Sequence, residues 1–181
     1  MFDQLNNYIT FIFHEIPTSC FVGFGTLLLV GTVFFLFFRG PKKGLKWSAE
    51  LLLFEYIVLL VILAVLARKV NATRTFNFTP FWSYRAILDG APYLMEQVIA
   101  NIVAFIPIGF LLRFVFDRIR WVAVMLIGLS FSVLIEFLQF VLKRGFTEFD
   151  DLFHNVLGCL IGYGLYCWFS TFSRVEEKRN L

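Results

Sequence analysis

Charge and histidine are scarce in this chain. Only 16% of its 181 residues are Asp, Glu, Lys or Arg, too few to cover a soluble domain of this size. The two histidines, His14 and His154, are far apart, and Cys20, Cys159 and Cys167 fall within or at the edges of apolar runs without CxxC spacing. That pattern speaks against both a zinc site and a structural disulfide, and no metal or other cofactor is implied. Also missing are a GxSxG nucleophile turn, a phosphate-cradling glycine loop and any nucleic-acid-binding pattern, so nucleic acid is not an expected partner. No Lys or Arg precedes Cys20; without a basic n-region the first apolar stretch reads as a retained span, not a cleavable signal.

What is present is apolar: 59% hydrophobic residues, 25 Phe and a mean hydropathy of +0.78. Five stretches, 20–38, 49–67, 96–116, 121–142 and 151–169, approach the ~20 residues that one crossing requires. The expected fold is all-α, a polytopic membrane bundle of about five transmembrane helices. Residues 1–19, with Phe2, Leu5, Ile9, Ile12, Phe13 and Ile16 at helical spacing, read as a short interfacial helix. The remaining divisions are two N-terminal spans over 20–67, a connection over 68–95, a core of three spans over 96–170 and a tail over 171–181. Ten Lys and Arg fall on one side of the spans and six, namely Arg68, Lys69, Arg74, Arg85, Lys143 and Arg144, on the other. The positive-inside rule then puts the N-terminus and the 68–95 connection outside and the C-terminus in the cytoplasm. The connection holds Pro80, Asp89-Gly90 and Pro92, which are turn signals, and an aromatic patch of Phe76, Phe78, Phe81 and Trp82. It reads as an ordered cap or lid, its aromatics either in the interfacial belt or folded over the helix ends.

Against this apolar background Glu136 stands out, inside 121–142 with Ser132 and Gln139 on its own helical face. A charge at mid-membrane costs roughly 2.5–3.5 kcal/mol. At 1.5 Å of rise per residue, Asn101 lies about 7 Å, Glu136 about 9 Å, Gln139 about 4 Å and Asn155 about 6 Å below the outer ends of their helices. Three helices thus present polar groups at a shared depth, closed underneath by Gly158 and Gly162, a GxxxG pair, and beside Pro107, which frees the Val103 carbonyl and bends its helix. Above them the turn 143–151 gathers Lys143, Arg144, Glu148, Asp150 and Asp151. Asp150 and Asp151 suit the N-terminus of the following helix, and the Arg144 fork suits a carboxylate or a phosphate. Two readings of the cluster remain: interhelical hydrogen bonding alone, worth only about 0.6 kcal/mol per bond, or a polar-lined cavity for a ligand. Glu55, in the second span near the inner leaflet, is accounted for by snorkelling or by pairing with Arg113.

At these residues the chain resembles the VanZ-like family. The resemblance rests on Arg74-x-x-Asn77-x-x-Pro80-Phe81, Asn101-x-x-x-Phe105-x-Pro107-x-Gly109, Ser132-x-x-x-Glu136-x-x-Gln139, and Arg144-x-Phe146 followed by Asp150-Asp151-x-x-x-Asn155-x-x-Gly158. These run in order from Arg74 to Gly162, about half the chain, while the first two spans carry no recognisable family signature. The resemblance implies a small, multi-pass bacterial cell-membrane protein and, for some members, lowered susceptibility to lipoglycopeptide antibiotics such as teicoplanin. It supplies no reaction. It points to Asn101, Glu136, Gln139, Arg144, Asp150, Asp151 and Asn155 as functional positions, with Arg74 in the first motif.

The leading expectation is a membrane binding module. Phe-rich walls would take an acyl chain, Glu136, Gln139, Asn101 and Asn155 would orient a polar head, and Arg144 would attract an anion. Expected partners are a membrane lipid, a lipid-linked cell-wall precursor or the acyl tail of a lipoglycopeptide. An enzyme modifying such a lipid, with Glu136 or Asp151 as general base, is the alternative. A small proton-coupled transporter is a weaker one, since the chain shows no inverted repeat.

Overall fold

The computed structural model describes residues 30, 31, 33, 34 and 41–179. The interfacial segment 1–19 and nearly all of the first expected span, 20–38, lie outside the described residues. Four described helices are long and apolar enough to cross a membrane, over Lys43–Leu66, Leu94–Val115, Trp121–Leu142 and Phe149–Phe172. The fold is an all-α membrane bundle.

Helix α1 (Pro41–Val61) begins on proline, whose missing N–H is no loss in a first turn. It runs on through a π-helical turn, Ile62–Leu66. The following connection carries a two-residue strand β1 (Phe76–Asn77) and a short helix α2 (Trp82–Leu88). Helices α3 (Leu94–Val115) and α4 (Trp121–Leu142) follow, then strand β2 (Thr147–Glu148) and the long helix α5 (Phe149–Arg179). The strands pair in parallel, Phe76 with Thr147 and Asn77 with Glu148.

Helix α5 packs most closely on α3, and glycine is the reason. A side chain on Gly158 would run into the Ile102 carbonyl, one on Gly162 into that of Ile106, and one on Gly109 into that of Cys159. The backbones approach so closely because these positions carry no Cβ. Around this seam the core gathers Phe105, Ile108, Leu112, Val115, Val124, Ile135 and Cys159. Tyr56 ties α1 to the bundle by donating to the Ala104 carbonyl at 2.8 Å.

The 68–95 connection is sewn to the turn after α4. That turn needs left-handed backbone at Lys143 (φ 54°) and Gly145 (φ 77°), which takes Lys143 off the helical stripe of Ser132, Glu136 and Gln139. The Gly145 carbonyl accepts from Asn71 Nδ2 at 2.7 Å and Thr75 Oγ1 at 2.8 Å, and the Lys143 carbonyl from the Asn71 amide at 2.7 Å. The connection is therefore a folded cap on one end of the bundle.

Glu55 neither snorkels nor pairs with Arg113. It is 4% exposed, and among the described residues its Oε1 has no hydrogen-bond partner. Arg113 instead donates to the Phe116 and Asp117 carbonyls and lies 5.4 Å from the Tyr166 ring. A guanidinium one turn from its helix end finds loop carbonyls closer than a carboxylate on another helix.

Candidate functional site

Under the cap, α3, α4 and α5 bring their polar groups together. Asn101 Nδ2 donates to Asp151 Oδ1 at 2.6 Å, joining α3 to α5. Asn155 Nδ2 donates to Ser132 Oγ at 2.8 Å, and Ser132 Oγ to the Asp151 carbonyl at 3.4 Å, joining α5 to α4. Glu136 Oε2 accepts from the Glu148 amide at 2.9 Å, so the carboxylate in the membrane span holds the end of β2. Gln139 Nε2 reaches the Ala64 carbonyl at 2.9 Å, an acceptor within the π-helical turn that follows α1.

Glu136, Glu148, Asp150 and Asp151 are all buried, between 2% and 6% exposed. Among the described residues none of the four is paired with a Lys or Arg. Glu148 holds two donors, Gln97 Nε2 at 2.8 Å and Trp82 Nε1 at 3.1 Å. Burial and then the Asp151 charge push its pKa up to about 7, more than those two hydrogen bonds pull it down. Among the described residues no three His, Cys, Asp or Glu side chains are placed to hold a metal ion.

Asp150 does not cap its own helix. Its Oδ1 accepts from the Phe81 amide at 2.6 Å, and its Oδ2 from the Ser83 amide at 3.0 Å and the Ser83 hydroxyl at 2.5 Å. Phe81 enters α2 in left-handed backbone (φ 59°) and the helix has no side-chain cap of its own, so a carboxylate from α5 fills that place. Tyr84, one turn on, meets His154 Nε2 at 2.9 Å. Burial, then the Asp150 charge, raises the Tyr84 pKa and keeps its phenol protonated. When the phenol donates, the imidazole proton sits on Nδ1, facing Asp151 Oδ1 at 3.9 Å.

Two basic residues expected at the site engage other groups. Arg144 donates to the Leu66 carbonyl and, at 2.8 Å, to that of Arg68, binding no carboxylate; the end of α1 leaves carbonyls unsatisfied and the guanidinium covers them. Arg74 lies 5.3 Å over the Phe140 ring. Conversely, Glu148, His154, Tyr84, Trp82 and Gln97 belong to the network. Glu148 and His154 had a signal in their spacing from Asp150 and Asp151, whereas Tyr84 and Trp82 had none, because their partners lie 70 and 66 residues away.

The network is not closed. Among the described residues Gln139 Oε1, Asn155 Oδ1 and His154 Nδ1 are buried without a hydrogen-bond partner, a state that costs about 1–3 kcal/mol for each group unless something bonds to it.

Comparison with known proteins agrees with the sequence motifs. A family model described as VanZ/LLP1 matches residues 26–170, extending into the first half of the chain, where no signature had been recognised. Protein VanZ of Enterococcus faecium is 29% identical over 119 residues, covering 64% of this chain and 71% of that protein. No solved structure matches.

Proposed function

The chain belongs to the VanZ/LLP1 family and is a membrane protein, and on that premise we propose that it is a multi-pass cell-membrane protein whose capped polar cluster binds the head of a lipid or lipid-linked amphiphile. The carrying observation is the set of unpartnered acceptors and donor around the acids: Gln139 Oε1, Asn155 Oδ1 and His154 Nδ1. Helices held in register by hydrogen bonds alone would satisfy one another, and a ligand offering hydroxyls or amides would complete these three. The role implied by the family resemblance is lipoglycopeptide resistance or envelope homeostasis, with a lipid-linked wall precursor or a lipoglycopeptide tail as ligand classes. Entry runs past the cap, whose hold on α5 consists largely of Asp150 and His154. Glu136, Gln139, Asn101, Asp151 and Asn155 are the ligand-facing groups in this reading; Asp150, Arg144 and Arg74 act on the cap and turn.

To test it, a photoreactive lipid analogue is crosslinked in native membranes to the parent and to Asn155→Ala and Gln139→Ala. The reading expects labelling of α4 and α5 peptides to fall at least about tenfold in folded variants, the loss of roughly 1.4 kcal/mol or more. Equal labelling would count against the site. Expressed in a susceptible Gram-positive host, the chain should raise tolerance to teicoplanin more than to vancomycin, since only the former has an acyl tail. Equal or no protection would remove that role.

A second reading, an enzyme acting on such a lipid, is favoured by one observation. The Tyr84 hydroxyl lies 2.9 Å from His154 Nε2, and the other ring nitrogen stands 3.9 Å from Asp151 Oδ1, so the imidazole sits between a phenol and a carboxylate. Incubation with total membrane lipid and mass spectrometry of the products tests it; an unchanged lipid profile over a range of pH and metals would exclude it.

A further inference from the structure

The opposite end of the bundle carries a groove that the polar cluster does not use. It has a volume of about 570 Å³ and is lined by Lys46, Phe116, Asp117, Arg118, Ile119 and Ile127. A second groove of about 370 Å³ is lined by Leu126, Ile127, Ser130, Phe131 and Leu134, so Ile127 belongs to both and the two adjoin along α4. The Ser130 hydroxyl donates to the Leu126 carbonyl at 2.8 Å, which leaves the second groove without a free hydroxyl proton. From Trp121, Ile127 lies about 9 Å and Leu134 about 20 Å along the helix. The trough therefore runs from the bundle end past the middle of a hydrocarbon core about 30 Å thick.

Its two parts differ in charge as a phospholipid does. The rim has two cations, Lys46 and Arg118, against one acid, Asp117. Lys46 Nζ is 3.6 Å from Asp117 Oδ2, and both side chains are open to solvent, at 44% and 78% exposure. Such a pair is weak and readily exchanged for a stronger anion. Arg113 fixes the rim loop by donating to the Asp117 carbonyl at 2.6 Å. By sequence, Lys43 and Arg120 add positive charge at the same end. Below the rim the walls are apolar. We propose that this trough binds an anionic phospholipid, its phosphate on Lys46 and Arg118 and one acyl chain along Ile127, Phe131 and Leu134 of α4.

The test is a lipid titration of the purified full chain in neutral detergent, read by native mass spectrometry, with phosphatidylglycerol and phosphatidylcholine of the same acyl length. The parent should prefer phosphatidylglycerol. Each cation near a headgroup is worth about fivefold, so Lys46→Gln with Arg118→Gln should weaken phosphatidylglycerol about 25-fold while Lys43→Gln with Arg120→Gln weakens it less than about fivefold. Ile127→Trp should weaken both lipids by filling the trough, and Leu134→Phe takes its place if that variant does not fold. Equal binding of the two lipids to the parent, or equal losses from the two charge pairs, would overturn the proposal. So would displacement by inorganic phosphate with no effect of the trough variants, the mark of a simple anion site, or a crosslink from position 127 to the 20–38 segment of the same chain, which would then be the occupant.

Discussion

At the capped end of the bundle four carboxylates keep only 2–6% of their surface exposed, whereas at the other end the ion pair of Lys46 and Asp117 keeps 44% and 78%. Exposed charges there remain hydrated, and replacing one alters little beyond what it touches. At the capped end the four acids have been removed from water, and partners set their positions: Glu136 the Glu148 amide, Asp150 the start of α2, Asp151 the Asn101 amide. Between the two ends the α3–α5 seam depends on glycine and carries no charge. The difference shows where the molecule spends stability on polarity, and it is under the cap.

The comparison can be broken most severely at the seam. Gly158→Leu or Gly162→Leu drives a side chain into a backbone carbonyl that cannot move away, and should lose about 3 kcal/mol or more, seen as unfolding at lower denaturant in mixed micelles. An effect under about 1 kcal/mol would mean that α3 and α5 do not approach as described. Next in size is the pH dependence of Glu148. Its pKa rises from 4.5 to about 7 in the folded protein, so the fold favours the protonated acid. That contribution is complete below pH 4.5 and is lost as pH climbs through 7. The parent should be less stable at pH 8 than at pH 4.5 by up to about 3 kcal/mol more than Glu148→Gln, which cannot ionise; parallel pH profiles would contradict a buried, acid-flanked Glu148.

Glu136→Ala leaves the Glu148 amide without its acceptor and should cost about 2 kcal/mol, with Glu136→Gln recovering roughly half, by the same unfolding assay. Asp150→Ala removes the cap of α2 and should cost about 1 kcal/mol, with faster limited proteolysis between residues 69 and 93, outside the spans. Unchanged proteolysis would show that the cap is held by something other than this carboxylate. Smallest is Lys46→Ala, expected within about 0.5 kcal/mol because both partners are solvated; a loss as large as that of Glu136→Ala would erase the distinction between the ends.

The membrane helices were legible because a crossing demands a length of apolar chain that little else produces, and the run Trp121–Leu142 appears with the same ends in sequence and structure. Asn101, Ser132, Glu136 and Asn155 were legible as a cluster from helical face and depth, since rise per residue converts sequence position into height. The cap was not. A two-residue parallel pairing, Phe76–Asn77 with Thr147–Glu148, is too short to leave an alternating pattern. Position at a helix start suggests for Asp150 either a cap on its own helix or a functional group, but acceptors serve any nearby amide, and those of Phe81 and Ser83 arrive from almost 70 residues away. The Arg144 fork suits an anion, yet the same five donors suit the open carbonyls of Leu66 and Arg68 equally well.

The most direct measurement is an experimental density map of the protein in lipid nanodiscs, sharp enough to place ordered water and headgroup atoms between α3, α4 and α5. Non-protein density is expected within hydrogen-bonding distance of Gln139 Oε1, Asn155 Oδ1 and His154 Nδ1, continuous with a lipid that enters beneath the cap. A dry cluster in which those three atoms are all bonded to protein groups would contradict it.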